Sequence, residues 1–178
     1  AALRWCKEPT EPKRIVSFVC DHGSKYLSKM FNDYWMIDQG FITRESHDDL
    51  RDLIARRHYY KEDFTLAPNL PIIQAIKTMQ LYDISQMAVL DKSGTICGIL
   101  DESDILLAVT QNADNFQKPV SDFMTKKLST LSPDDSIASL VPLFTEDKVA
   151  IVVDDDGAFH GLVTKIDFIH HLRKQLPR

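Results

Sequence analysis

The sequence predicts an α/β (α+β) fold: two repeats, each strand–helix–strand–strand–helix, packed as a pair behind a strand/helix arm and a linker helix. Two observations predict it. "TLAPNLPIIQAIKTM" from Thr65 aligns with "TLSPDDSIASLVPLF" from Thr130, and "MAVLDKSGTICGILDESDIL" from Met87 aligns with "AIVVDDDGAFHGLVTKIDFI" from Ala150. The offset falls from 65 to 63, so the second copy is two residues shorter between its helix and its middle strand. The expected boundaries are an arm over 1–44, a linker helix over 45–62, repeat 1 over 63–110, a connector over 111–123 and repeat 2 over 124–173.

In the arm, "RIVSFVC" (Arg14 to Cys20) has the apolar, β-branched character of a buried strand. "DHG" then reads as a turn, and "SKYLSKMF" from Ser24 as a short helix. In "SHDDLRDLIARRHYY", Ser46 and Asp49 form a capping-box pattern, and Leu50, Leu53, Ile54 and Arg57 share one helical face. Each repeat opens with Thr-Leu-x-Pro and continues into a helical pattern, carried in the first copy by Ile72, Ile73, Ile76 and Met79. Hairpin turns follow at "DKSG", ending at Gly94, and "DDDG", ending at Gly157. Asp154-Asp155-Asp156 lacks the alternation of a calcium loop and reads as a solvated hairpin tip.

The composition narrows the function classes. The chain has 178 residues, 44% of them hydrophobic and 26% charged, as in an ordinary globular protein. A net charge of -5 argues against a broad basic face for nucleic acid or anionic lipid. No apolar run approaches a membrane span and no signal peptide is evident, so neither nucleic acid nor membrane is an expected partner. The opening Ala-Ala-Leu-Arg-Trp, without an initiating Met, reads as a processed chain or a piece of a longer one. Cys6, Cys20 and Cys97 show no disulfide or metal spacing, which fits a reducing, cytoplasmic setting. None of the six histidines has a His or Cys partner at ligand spacing, so no metal site is expected.

Each repeat closes on a strand–helix join: "GILDESDI" (Gly98 to Ile105) and "GLVTKIDF" (Gly161 to Phe168). Thr164 at the start of a helix and Asp167 in its first turn are what capping alone asks for. Whether the two also hold a ligand is not decided by one join. Asp101 stands in the first copy where Thr164 stands in the second.

The repeated Gly-apolar-apolar-Thr-x-x-Asp join resembles the CBS domain, and the tandem resembles the two-CBS (Bateman) module that binds adenosine-containing ligands. The resemblance covers Asp63 to about Leu172. The segment from Arg14 to Phe41 resembles the end of the pyridoxal-phosphate domain in cystathionine β-synthase and its cysteine-synthase relatives, at Asp21, Tyr26, Leu27, Ser28, Lys29, Trp35 and Met36. This implies that 1–44 is the remnant of such a catalytic domain. The parent would then be a pyridoxal-phosphate-dependent lyase of cysteine biosynthesis. With six glycines and no Gly-rich phosphate cradle, the chain is expected to hold no pyridoxal phosphate and no catalytic residues of its own.

The resemblance also implies a site. Asp167 would accept the two ribose hydroxyls, the helix start and Thr164 would favour a phosphate, and Leu162 and Ile166 would wall the base. Ile84, Ser85, Gln86 and Met87 of the first copy would complete that cleft. In the other cleft Asp101 and Asp104 would face Lys148, Val149 and Ala150, and Asp101 would repel a phosphate that a sulfonium ligand would not bring. The implied function is a regulatory module that binds S-adenosylmethionine or AMP, ADP or ATP and modulates its own catalytic domain. A stand-alone nucleotide sensor, or a homodimerisation module with empty clefts using residues such as Phe168 and Leu172, is the alternative.

Overall fold

A computed structural model of the chain describes residues 7, 11, 14, 16, 18 and 22–174. Residues 1–45 and 46–178 form two compact units. Apart from Arg14, Val16 and Phe18, the strand expected over Arg14–Cys20 lies outside the described residues, as do Cys6 and Cys20. In the first unit the expected helix from Ser24 is a 3-10 turn, Gly23–Tyr26, followed by irregular turns. Helix α1 (Asp33–Asp38) starts at Asn32, whose side chain accepts from the Trp35 N–H at 3.2 Å. It stops where Gly40 takes φ 75° and the Phe41 N–H bonds back to the Met36 carbonyl.

The second unit corrects the expected linker helix. Residues 46–62 form two 3-10 turns, Leu50–Leu53 and His58–Tyr60, and no α-helix. Carboxylates compete with helical hydrogen bonding here. Asp52 accepts from the His47 and Asp48 N–H groups and the Ser46 hydroxyl, and Asp49 pairs with Arg51. Asp52 and Asp48, rather than Asp49, thus accept from the Ser46 hydroxyl, at 2.8 and 3.2 Å. Burial decides the rest: Leu50 and Ile54 are fully enclosed and Leu53 nearly so, in a core shared with Leu140, Ala150, Val152 and Val163 of the second repeat.

Each repeat forms a three-stranded sheet. In the first, β1 (Thr65–Leu66) lies parallel to β2 (Gln86–Leu90), which pairs antiparallel with β3 (Ile96–Asp101). Helix α2 (Ile72–Tyr82) links β1 to β2, and α3 (Glu102–Gln111) follows β3. The second repeat repeats the order with β4 (Thr130–Leu131), α4 (Leu140–Thr145), β5 (Ala150–Val153), β6 (Phe159–Val163) and α5 (Lys165–Lys174). Helix α4 is short. It begins behind a 3-10 turn, Ile137–Ser139, and holds Pro142 in its first turn, where a missing N–H removes no helical bond.

The two hairpins use one device. Asp91 and Asp154 each accept two N–H groups of their own turn, at 2.8 to 3.1 Å, and Gly94 and Gly157 close the turns at φ 85° and 82°. Asp154 also pairs with His160, so the acidic run is a hairpin tip.

Strand alternation builds two kinds of core. Met87 and Val89 point to the helices of their own repeat, while Ala88 and Leu90 meet Ile151 and Phe159 of the other in a layer between the sheets. The motif glycines lie where the segment ahead of one repeat crosses the other or its neighbour. A Cβ on Gly161 would stand 2.5 Å from Ile54 Cγ2 and 3.1 Å from the Arg56 carbonyl oxygen, and on Gly98 it would stand 2.5 Å from Met124 Sδ. Gly161 also has φ 147°, which L side chains rarely adopt.

Candidate functional site

The join of β6 and α5 sets the site. The Thr164 N–H and hydroxyl both donate to Asp167 Oδ2, at 2.8 and 2.5 Å. The Phe168 N–H donates to the Thr164 carbonyl at 3.2 Å and opens the helix. Thr164 therefore orients Asp167 rather than capping the helix with its hydroxyl. The corresponding join in the first repeat is a full capping box: Asp101 Oδ1 accepts from the Asp104 N–H at 2.8 Å, and Asp104 Oδ2 from the Asp101 N–H at 3.3 Å. Burial pushes the Asp104 carboxyl above its ordinary value, and the Asp101 charge adds to the rise.

In front of Thr164 and Asp167 lies a cleft of about 340 Å³, within the usual size range of small-molecule sites. Of the residues anticipated from the sequence, Leu162, Ile166, Thr164 and Asp167 of the second repeat line it, with Ile84, Ser85 and Gln86 of the first. Asp83 places the latter group. At φ 52° it turns the chain out of α2, and the Ile84 N–H bonds back to the Met79 carbonyl. Met87 is a correction. It is fully buried in the first repeat's core, because alternation along β2 turns it away from the face shown by Gln86 and Ala88.

Sequence reasoning missed the rest of the lining. Asp63 and Phe64, just before β1, contribute one wall, with Ala55 and Arg56 from the linker and Phe159 from β6. The position of Asp63 and Phe64 beside a repeat strand was a usable signal. Nothing local marked Arg56. Asp63 is held by His58 Nδ1 at 3.0 Å, and the His58 ring lies 5.3 Å from that of Phe159. The charged lining is thus Arg56 with Asp63, Asp83 and Asp167.

The second anticipated cleft is not assembled in the same way. The Lys148 ammonium pairs with Glu146 at 2.6 Å and not with Asp101, and Asp104 takes the Thr125 hydroxyl at 3.5 Å. Val149 packs in the layer between the sheets, and Ala150 is fully buried in its own repeat. The Ser85 carbonyl accepts the Glu102 N–H that begins α3.

The sequence pattern of the family described as "CBS domain" matches residues 50–111 and 120–174. The chain belongs to the CBS domain family. The first CBS domain so matched starts at Leu50, drawing the linker turns into it. The chain is 26% identical to cystathionine beta-synthase of Dictyostelium discoideum, over 97% of its length and 37% of that protein. It is 22% identical to the enzyme of the same name from Oryctolagus cuniculus, over 95% of this chain and 34% of that one. The chain spans about a third of the length of these curated relatives. Among solved structures, CBSX2 in complex with AMP matches with a TM-score of 0.63 at 17% identity, covering 71% of this chain and 96% of that one. A CBS domain-containing protein of unknown function from Bacillus anthracis str. Ames Ancestor matches at 0.64 and 17%, covering 78% and 99%. These structures share the CBS-pair fold. No helix among the described residues is long and apolar enough to cross a membrane.

Proposed function

We propose that this CBS pair senses an adenosyl ligand, S-adenosylmethionine or AMP, ADP or ATP, in the cleft at Thr164 and Asp167. In this reading it regulates a pyridoxal-phosphate-dependent β-synthase domain that precedes it, whose end is residues 1–44. The observation that carries the reading is the state of Asp167. Thr164 fixes one carboxylate oxygen, and Oδ1 takes no hydrogen bond among the described residues. A rigid, half-satisfied carboxylate suits the two adjacent hydroxyl donors of a ribose. Ile84, Phe159, Leu162 and Ile166 supply apolar walls for a base. CBSX2, of the same fold, was solved with AMP. Support for the enzyme attachment comes from the two cystathionine beta-synthases, whose likeness runs over nearly the whole chain, arm included. Calorimetric titration with S-adenosylmethionine, AMP, ADP and ATP tests the sensor; absence of heat with every compound defeats it.

A second reading, association with another copy, is favoured by the helices. Leu106 and Leu107 on α3 and Ile169 and Leu172 on α5 are 61%, 63%, 57% and 45% exposed. Phe168 does not share that role, since it turns inward to Phe144 at 5.7 Å between ring centroids. Light scattering that finds only monomer at micromolar concentration removes this second reading.

A further inference from the structure

We infer that Arg56 decides which ligands the cleft accepts, by receiving an anionic group, phosphate or carboxylate, carried at the opposite end of the ligand from its base. The inference rests on the adenosyl reading of the cleft. Arg56 and Arg57 are neighbours of one residue type with opposite fates. Arg57 is 5% exposed, and its guanidinium donates to Asp52 at 2.8 Å and to the Arg51 carbonyl at 3.2 Å. Arg56 lines the cleft, its guanidinium carbon lies 5.2 Å from the centre of the Phe64 ring, and it makes no ion pair among the described residues. Three other cations of the same unit are taken, Arg51 by Asp49, Lys148 by Glu146 and Lys165 by Asp147, and none of them lines the cleft.

A guanidinium resting on an aromatic face keeps its donor edge open to a bidentate oxyanion. The Arg56 carbonyl oxygen packs beside Gly161, 3.1 Å from where a Cβ would stand. The other charged groups of the lining are carboxylates. Asp167 is oriented by Thr164, Asp63 is paired with His58, and Asp83 sits at an exposed turn. A ligand anion placed near any of these is repelled, so the cleft offers it favourable potential at Arg56.

The test is calorimetry on the whole chain with adenosine, AMP, 5′-methylthioadenosine and S-adenosylhomocysteine. The first pair differs by a phosphate, the second by an amino-acid terminus that carries a carboxylate. One anion-bearing probe is expected to bind wild type at least roughly 10-fold tighter than its anion-free partner. Arg56→Gln and Arg56→Ala should weaken that probe by roughly 10- to 100-fold and leave the anion-free partner unchanged. The pair that responds identifies the anion. If both variants, folded by circular dichroism, bind all four probes as wild type does, or lose the anion-free probes as well, the role of Arg56 is overturned and the cleft reading stands. If wild type binds none of the four, the cleft reading falls and the role of Arg56 with it.

Discussion

The Thr164 N–H and hydroxyl converge on one oxygen of Asp167, at 2.8 and 2.5 Å, and leave Oδ1 without a hydrogen bond among the described residues. The first repeat places Asp101 at the equivalent position, where it caps α3 through the Asp104 N–H. One substitution in a repeated motif thus changes a half-satisfied carboxylate into a closed capping box holding two acids.

That pair of acids gives a titration prediction. Asp104 is raised first by burial and then by the charge of Asp101. Asp101→Asn keeps a capping side chain and removes the charge. The Asp104 pKa, followed by carboxyl-carbon NMR, should fall in the variant yet stay above its ordinary value, because burial persists. An unchanged Asp104 titration would refute the coupling.

Gly161→Ala should destabilise the chain by about 1–3 kcal/mol, since the new Cβ meets Ile54 at 2.5 Å and the backbone stays at φ 147°. Gly98→Ala should cost less, because the flexible side chain of Met124 is what it meets. Denaturant melts of the two variants check the order, which would be reversed if the linker crossing were loose.

The linker turns belong to the second repeat's core. Leu50→Ala should lower stability by about 2–5 kcal/mol, as for any fully enclosed leucine, although the sequence position reads as a connector. A loss below about 0.5 kcal/mol in urea unfolding would show that the segment is not docked.

Asp52 makes that docking acid-sensitive. Burial alone would raise its pKa, but donation from the His47 N–H, the Ser46 hydroxyl and the Asp48 N–H, with the Arg57 charge, holds it below the ordinary 3.8. A lowered folded-state value means its contribution is present above about pH 3.8 and is lost as pH falls through the lowered value. Thermal melts from pH 7 to pH 3 should show a steeper acid loss in wild type than in Asp52→Asn, and parallel curves would exclude the effect.

Much of this architecture was legible in the sequence because its signals are local and doubled. The Thr-Leu-x-Pro entries, the hairpin aspartates and glycines and the Gly-apolar-apolar joins each appear twice. The linker was misread for a physical reason. Leu50, Leu53 and Ile54 fit a helical face, but Asp49 and Asp52 draw backbone N–H groups to themselves and the second repeat buries the apolar side chains. Met87 was grouped with Ile84, Ser85 and Gln86 by resemblance, whereas strand alternation turns its side chain into the first repeat's core. The sequence set Arg57 on the apolar face with Leu50, Leu53 and Ile54, and it is buried against Asp52, but no local pattern set Arg56 apart as the one that lines the cleft.

The most direct measurement is the affinity of the chain for its tightest-binding adenosyl compound, compared between wild type, Asp167→Ala and Asp104→Ala by titration calorimetry. The expected result is saturable binding that Asp167→Ala weakens by roughly 10- to 100-fold, with Asp104→Ala close to wild type. Binding that survives Asp167→Ala, or that is lost instead with Asp104→Ala, would contradict the assignment of the cleft.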